Sequence, residues 1–195
     1  GNVLGCLHLP RVFVVVWIPH QSAVNQVISW LSHPAVMDLD PDITIMYLPS
    51  FGTHINRTNL RVKLSENFNR NILPRENEQE IEAVWQNKLT VNPKMWNGSK
   101  FRLESVTEKD ESATFHVGIT SYKDFIGTNW SPKAKDLHKL GLEIHGHKQS
   151  FMSDALGVGS IVQTADDMTV IIKRSTNCAE AVGLWDIPGG HPEPM

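Results

Sequence analysis

The sequence is short of cysteine, of net charge and of long apolar runs, and each shortage removes a class of protein. Two cysteines among 195 residues, Cys6 and Cys178, are too few for a disulfide framework. No Cys-x-x-Cys or Cys/His spacing resembles a zinc site. A reducing compartment, cytoplasm or nucleus, is the expectation. A formal charge of −3, with Lys and Arg scattered evenly, provides no basic stripe, which argues against a nucleic-acid partner. The apolar run at residues 12–18 (VFVVVWI) is seven residues long, whereas a bilayer-spanning helix needs roughly 20. A signal-peptide core can be this short, yet neither a starting Met nor a small-x-small cleavage site accompanies it. No membrane association is expected.

What remains is a chain with 41% hydrophobic residues, enough for one good core. Residues 1–36 differ in character from the rest. There, residues 12–18 and the helix-spaced Val24, Val27, Ile28 and Leu31 read either as a buried strand and helix or as an extension outside the folded domain. Residues 37–195 read as the domain itself. Gly1 in place of Met, and a Gly/Pro-rich tail without a closing element, read as a chain cut at both ends.

From Met37 the periodicity is regular. Ile43, Ile45 and Tyr47 alternate, as do Leu60, Val62 and Leu64, which predicts two half-buried strands. Asn77 with Glu80 three residues on has the form of a capping box, and Ile81, Val84, Trp85 and Leu89 form one helical stripe that Asn92-Pro93 ends. Residues 101–106 (FRLESV) and 112–120 (SATFHVGIT) flank a charged turn and predict an antiparallel hairpin. A second helix is expected from Ser131, with Pro132 in its first position, to Gly141 as the C-terminal glycine. Residues 160–164 and 168–174 flank Ala165-Asp166-Asp167 as another hairpin. Strands alternating with helices predict a mixed α/β sheet domain.

Residues 184–193 combine a short apolar strand, Pro188-Gly189-Gly190 and Glu193. Two glycines let a backbone turn sharply where a side chain would clash, and by themselves they read as a structural loop. Arg174 ends an apolar strand, and its planar guanidinium suits two-point contact with phosphate. Trp96 and Tyr122 are large aromatic rings, and Asp186 is a hydrogen-bond acceptor just before the Gly-Gly segment. Each also has a plain structural reading: core aromatics, a solvated strand-end cation, a turn aspartate. His145 and His147 lack a third ligand and read as loop residues, and Asp166-Asp167 as a turn.

Residues 119–130 (ITSYKDFIGTNW), 156–159 (LGVG), 164–167 (TADD) and 187–194 (IPGGHPEP) together resemble the Nudix hydrolase superfamily, in its uridine diphosphate glucose pyrophosphatase branch. The resemblance runs over residues 37–194 and is densest from Phe101. It implies a Nudix-like α/β/α sandwich, incomplete at its C-terminus, and cleavage of UDP-glucose or UDP-galactose to UMP and a sugar 1-phosphate. It also implies substrate-binding roles for Trp96, Tyr122, Arg174, Ala179, Asp186, His191 and Glu193. The aromatic pair would clasp uracil, although the family usually has Phe where Trp96 stands. Ala179 would contact substrate by its backbone or by leaving space, His191 would donate to phosphate, and Glu193 would meet sugar hydroxyls or a metal-bound water. Mg2+ is the implied cofactor, held by carboxylates of a REUXEE helix that follows the Gly-Gly turn in the family and is absent here. No catalytic or metal residue is therefore assigned within the chain. The expectation is a recognition half with little activity of its own, or a nucleotide-sugar binder.

Overall fold

The computed structural model describes residues 12–13, 47, 57–160, 162, 164–166, 168–176 and 182–195. The chain divides into two compact units, residues 16–156 with 191–195 and residues 1–15 with 157–190. The expected boundary at residue 36 lies outside the described residues, as do Ile43 and Ile45. Tyr47 is described and belongs to no strand.

The larger unit is built on a three-stranded mixed sheet. Strand β2 (Leu60–Leu64) runs parallel to β4 (Ser112–Ser121), and β4 pairs antiparallel with β3 (Ser99–Lys109). The expected hairpin is β3–β4. Its two-residue turn, Asp110-Glu111, has φ of 50° and 60°, the positive pair whose twist matches that of the flanking strands. A register shift between Leu103 and Ser105 puts an extra residue, Glu104, into β3. The outer edge of β3 bonds to the chain at 154–156, through Leu103 N–H to Asp154 O (3.1 Å) and Leu156 N–H to Phe101 O (2.8 Å). By contrast β2, expected to be half-buried, is exposed at all five residues, Val62 by 67%. It is the edge strand, and its alternation reflects β propensity rather than a core-facing row.

Helix α1 (Arg75–Val91) carries the expected stripe, with Ile81 and Trp85 buried and Val84 and Leu89 partly so. Its start differs from the capping-box reading, because Pro74 is the N-cap and Asn77 lies inside the helix. Glu78 reaches back instead, accepting the Leu73 N–H at 2.9 Å. Helix α3 (Ala134–His145) begins after Ser131-Pro132 and passes straight through Gly141. A Cβ at Gly141 would lie 2.9 Å from the His147 carbonyl, so that glycine serves packing of the returning chain. The left-handed position is Gly146, with φ of 70°, where an L side chain is disfavoured.

Between them lies a helix the sequence reading did not separate out, α2 (Tyr122–Gly127). Ser121 caps it reciprocally: its Oγ accepts the Asp124 N–H (3.1 Å) and donates to Asp124 Oδ2 (2.8 Å). Among the described residues the unit holds an apolar cluster of Leu73, Ile81, Leu137, Phe151 and Met152, and another of Phe125, Ile126 and Ala155 packed by Val84, Tyr122 and Trp130.

In the smaller unit β5 (Val158–Ser160) pairs antiparallel with β1 (Val12–Phe13) and with β8 (Gly189–Gly190), while β6 (Ile172–Lys173) pairs with β7 (Trp185–Asp186). The hairpin expected around Ala165-Asp166 is closed by Thr164 N–H to Met168 O (2.8 Å) and Val170 N–H to Val162 O (3.0 Å). Among the described residues no helix is long and apolar enough to cross a membrane.

Candidate substrate site

The open end of the β3–β4 hairpin is where the larger unit collects its predicted binding residues. Ser99 faces Ser121 and Lys100 faces Thr120 across the strands. Just before β3, the loop holding Trp96 is fastened to the start of α2 by two backbone donors: Tyr122 N–H to Gly98 O (2.9 Å) and Lys123 N–H to Asn97 Oδ1 (2.7 Å). Trp96 is 68% exposed. A large aromatic surface left in water beside a clamped loop is available for stacking.

Tyr122 is half-buried. Its ring meets Trp85 edge-on (6.1 Å between centroids, 88°) and stacks on Phe125 (6.2 Å, 20°). Phe125 in turn lies 6.1 Å from the His191 ring. Glu193 forms an ion pair with Lys100 on β3. Trp96, Tyr122, His191 and Glu193 thus lie on one circuit of neighbours that closes through Phe125, Lys100 and Gly98. Lys100 is the member that sequence reasoning missed. A lysine in an alternating strand carries no local signal, and its partner is 93 residues away.

Arg174 and Asp186 meet in the smaller unit. The guanidinium Nη1 donates to Asp186 Oδ2 at 3.0 Å, Asp186 Oδ1 accepts the Ile187 N–H at 2.9 Å, and Arg174 N–H bonds to Leu184 O at 2.9 Å. Both side chains are partly buried, so the pair is well shielded yet reachable. Ala179 lies outside the described residues. The Gly-Gly segment differs from the sharp turn expected of it. Both glycines are in strand β8, and neither has a positive φ. A Cβ at Gly189 would sit 2.5 Å from the Val158 carbonyl, so closeness to β5 requires that glycine, whereas Gly190 has open space around it.

The frame beneath α2 explains much of the 119–130 motif. Arg70 donates to both oxygens of Glu78 (2.6 and 2.9 Å) and to Asp124 Oδ1 (2.7 Å). Burial pulls the Arg70 guanidinium down, but bonding to Glu78 and the charge of Asp124 outweigh it and hold the group above its ordinary range. Thr128 Oγ1 accepts the Ser153 N–H (3.0 Å) and donates to Asp124 O (2.7 Å). Arg102, almost fully buried, donates to the carbonyls of Met152 (3.0 Å), Phe68 (2.7 Å) and Gln149 (2.8 Å). A polar cavity of about 270 Å3, with Asn67, Asn71, His145 and His147 in its wall, opens beside Arg102 and shares no residue with the circuit around Trp96.

A magnesium ion prefers carboxylate and phosphate oxygens, several at once. Among the described residues no group of three or more His, Cys, Asp or Glu is placed to hold a metal. Glu193 faces Lys100 and Asp186 faces Arg174. With their carboxylates already facing cations, these residues do not fit a magnesium centre.

No protein-family model matches the chain. It is 39% identical over 161 residues to the uridine diphosphate glucose pyrophosphatase NUDT22 of Mus musculus, covering 80% of this chain and 52% of that protein. The Homo sapiens protein of that name is 39% identical over 162 residues, covering 80% and 53%. Nudix hydrolase 9 of Arabidopsis thaliana is 28% identical over 158 residues, covering 75% and 50%. The chain spans about half the length of the curated relatives it matches. These similarities support a place in the Nudix hydrolase superfamily, on the branch of the proteins named uridine diphosphate glucose pyrophosphatase.

Proposed function

We propose that the chain carries the substrate-recognition half of a UDP-sugar diphosphatase. In the complete protein, water adds across the diphosphate of UDP-glucose or UDP-galactose, one P–O bond breaks, and UMP and a sugar 1-phosphate are released. The observation that supports this best is the circuit of Trp96, Tyr122, His191 and Glu193 at one end of the β3–β4 hairpin. It occurs in a chain whose relatives are named for UDP-glucose.

In this reading Trp96 stacks on uracil and Tyr122 borders it. Arg174 binds a phosphate through two donors, Asp186 accepts from sugar hydroxyls or uracil N–H, Glu193 accepts from sugar hydroxyls or a metal-bound water, His191 donates to phosphate, and Ala179 meets the substrate through its backbone or by leaving space. The strands belong to a Nudix-type α/β/α sandwich, and the carboxylates that hold Mg2+ belong to sequence other than the described residues. A second reading, a nucleotide-sugar binder without hydrolysis, is favoured by the pairing of Glu193 and Asp186 with cations.

Calorimetric binding of a nucleotide-sugar panel to the 195-residue chain, beside UMP release by the chain and by a form extended past Met195, tests both. UDP-sugar binding by both proteins with UMP release by the extended form alone is expected. Equal turnover of ADP-ribose, or no UDP-sugar binding at all, sinks the assignment. Comparable magnesium-dependent UMP release by the two proteins places the metal site within this chain and refutes the division of labour.

A further inference from the structure

Gly98 is buried while Trp96, two residues before it, stands 68% exposed. The indole lies directly over this glycine. A Cβ built on Gly98 would be 3.1 Å from both Cη2 and Cζ2 of Trp96 and 3.4 Å from Cζ3. Those distances are tighter than ordinary carbon–carbon contact. Gly98 itself cannot retreat, because its N–H bonds to Trp96 O (3.1 Å) and its carbonyl accepts the Tyr122 N–H (2.9 Å). Asn97, between them, is held by Lys123 N–H through its side-chain oxygen at 2.7 Å. The backbone is fixed to α2, and the indole is fixed by the absence of a side chain beneath it.

We propose that Gly98 is a positioning residue that sets the pose of Trp96, so that one face of the indole rests on Gly98 and the other is offered as a one-sided stacking platform for a planar base. The inference rests on the reading of this site as one for uridine nucleotides. It adds a residue that no hydrogen-bonding or charge criterion selects. An exposed tryptophan free to sample rotamers loses that freedom when a base stacks on it, whereas one already seated on Gly98 does not. The energetic consequence belongs to Trp96 alone, which makes it separable from a general effect on the fold.

The test is a double-mutant cycle in the 195-residue chain with Gly98→Ala, Trp96→Ala and both together, UDP being the probe. The backbone at Gly98 is not left-handed, so alanine is tolerated there and the thermal midpoint should hold. In ligand-free protein the Trp96 indole N–H resonance, identified by its loss in Trp96→Ala, should move in Gly98→Ala. UDP affinity should fall about three- to tenfold in Gly98→Ala, the range of one stacking contact. It should fall no further when Gly98→Ala is added to Trp96→Ala. If Gly98→Ala binds UDP as the parent does, or weakens it equally without Trp96, the positioning role is overturned alone. If the parent chain does not bind UDP, the functional reading falls and takes this inference with it.

Discussion

Asn129 and Asp154 exchange two hydrogen bonds across 25 residues of chain: Asn129 Nδ2 donates to Asp154 Oδ1, and the Asp154 N–H donates to Asn129 Oδ1, both at 2.9 Å. Both residues are buried, and Asp154 sits at a φ of 42°, left-handed without being glycine. The exchange holds that strained backbone and joins the end of α2 to the segment that bonds along β3. The other carboxylate oxygen of Asp154 accepts no hydrogen bond and lies 3.8 Å from the Arg102 guanidinium.

Replacing Asn129 with leucine keeps the volume and removes both bonds. A buried carboxylate would then lose its donor and a buried N–H its acceptor, at about 2–4 kcal/mol in all. Urea unfolding of the variant should show this loss without a large change in slope. A loss below about 1 kcal/mol would mean that water or another group takes over both bonds.

The same carboxylate predicts a pH dependence. Burial pushes Asp154 up to about 6 from an ordinary value of 3.8, against the opposing pull of Arg102, Asn129 and Lys148. The folded chain therefore holds this proton more tightly than the unfolded one, and stability falls as pH rises from about 4 through about 6. The size is on the order of 2–3 kcal/mol. Asp154→Asn has no such titration. The stability difference between variant and parent should change across this window, and a flat difference between pH 4 and 7 would refute the assignment.

Local periodicity made the β3–β4 hairpin and the α1 stripe legible, because Phe101 to Val106 and Ile81 to Trp85 state their faces within a few residues. Helix α2 was not, since its six residues depend on a reciprocal cap at Ser121 and on Arg70, which reaches Asp124 across 54 positions. The end of α3 was misread because two glycines competed: Gly141 meets the need of the chain passing over it, and Gly146 supplies the left-handed turn. The resemblance selected Trp96 for stacking and Arg174 for a phosphate contact; residue chemistry is compatible with both roles but does not single out either residue. Lys100 was invisible, since only folding sets it beside Glu193.

Arg174 is already engaged by Asp186, so a substrate phosphate would compete for a guanidinium that the fold has oriented. Arg174→Ala is expected to weaken UDP-glucose binding by about tenfold or more, and Arg174→Lys to recover only part of it, because a point charge cannot supply the planar fork. Isothermal titration of the three proteins decides the matter. Parent-like affinity in Arg174→Ala would leave the arginine as a structural partner of Asp186.

Arg70 offers the clearest separation of charge from packing. Its guanidinium joins Glu78 at the start of α1 to Asp124 at the start of α2, so one cation serves two carboxylates. Removing it leaves two partly buried anions facing a gap, at about 3 kcal/mol. Lysine restores the charge but not bidentate contact and should recover less than half. Burial raises the Glu78 carboxyl, and bonding from Arg70 and the Leu73 N–H more than offsets this, so the group is held below its ordinary value of 4.5. Its contribution is therefore fully present above the unfolded value and is lost as pH falls through the folded one. Arg70→Ala should consequently cost most near pH 7, and the gap to the parent should narrow as pH drops below about 4.5. Paired urea titrations at pH 7 and pH 3.5 read this directly. An equal loss of stability at both would show that Arg70 acts through its packed stem rather than through its charge.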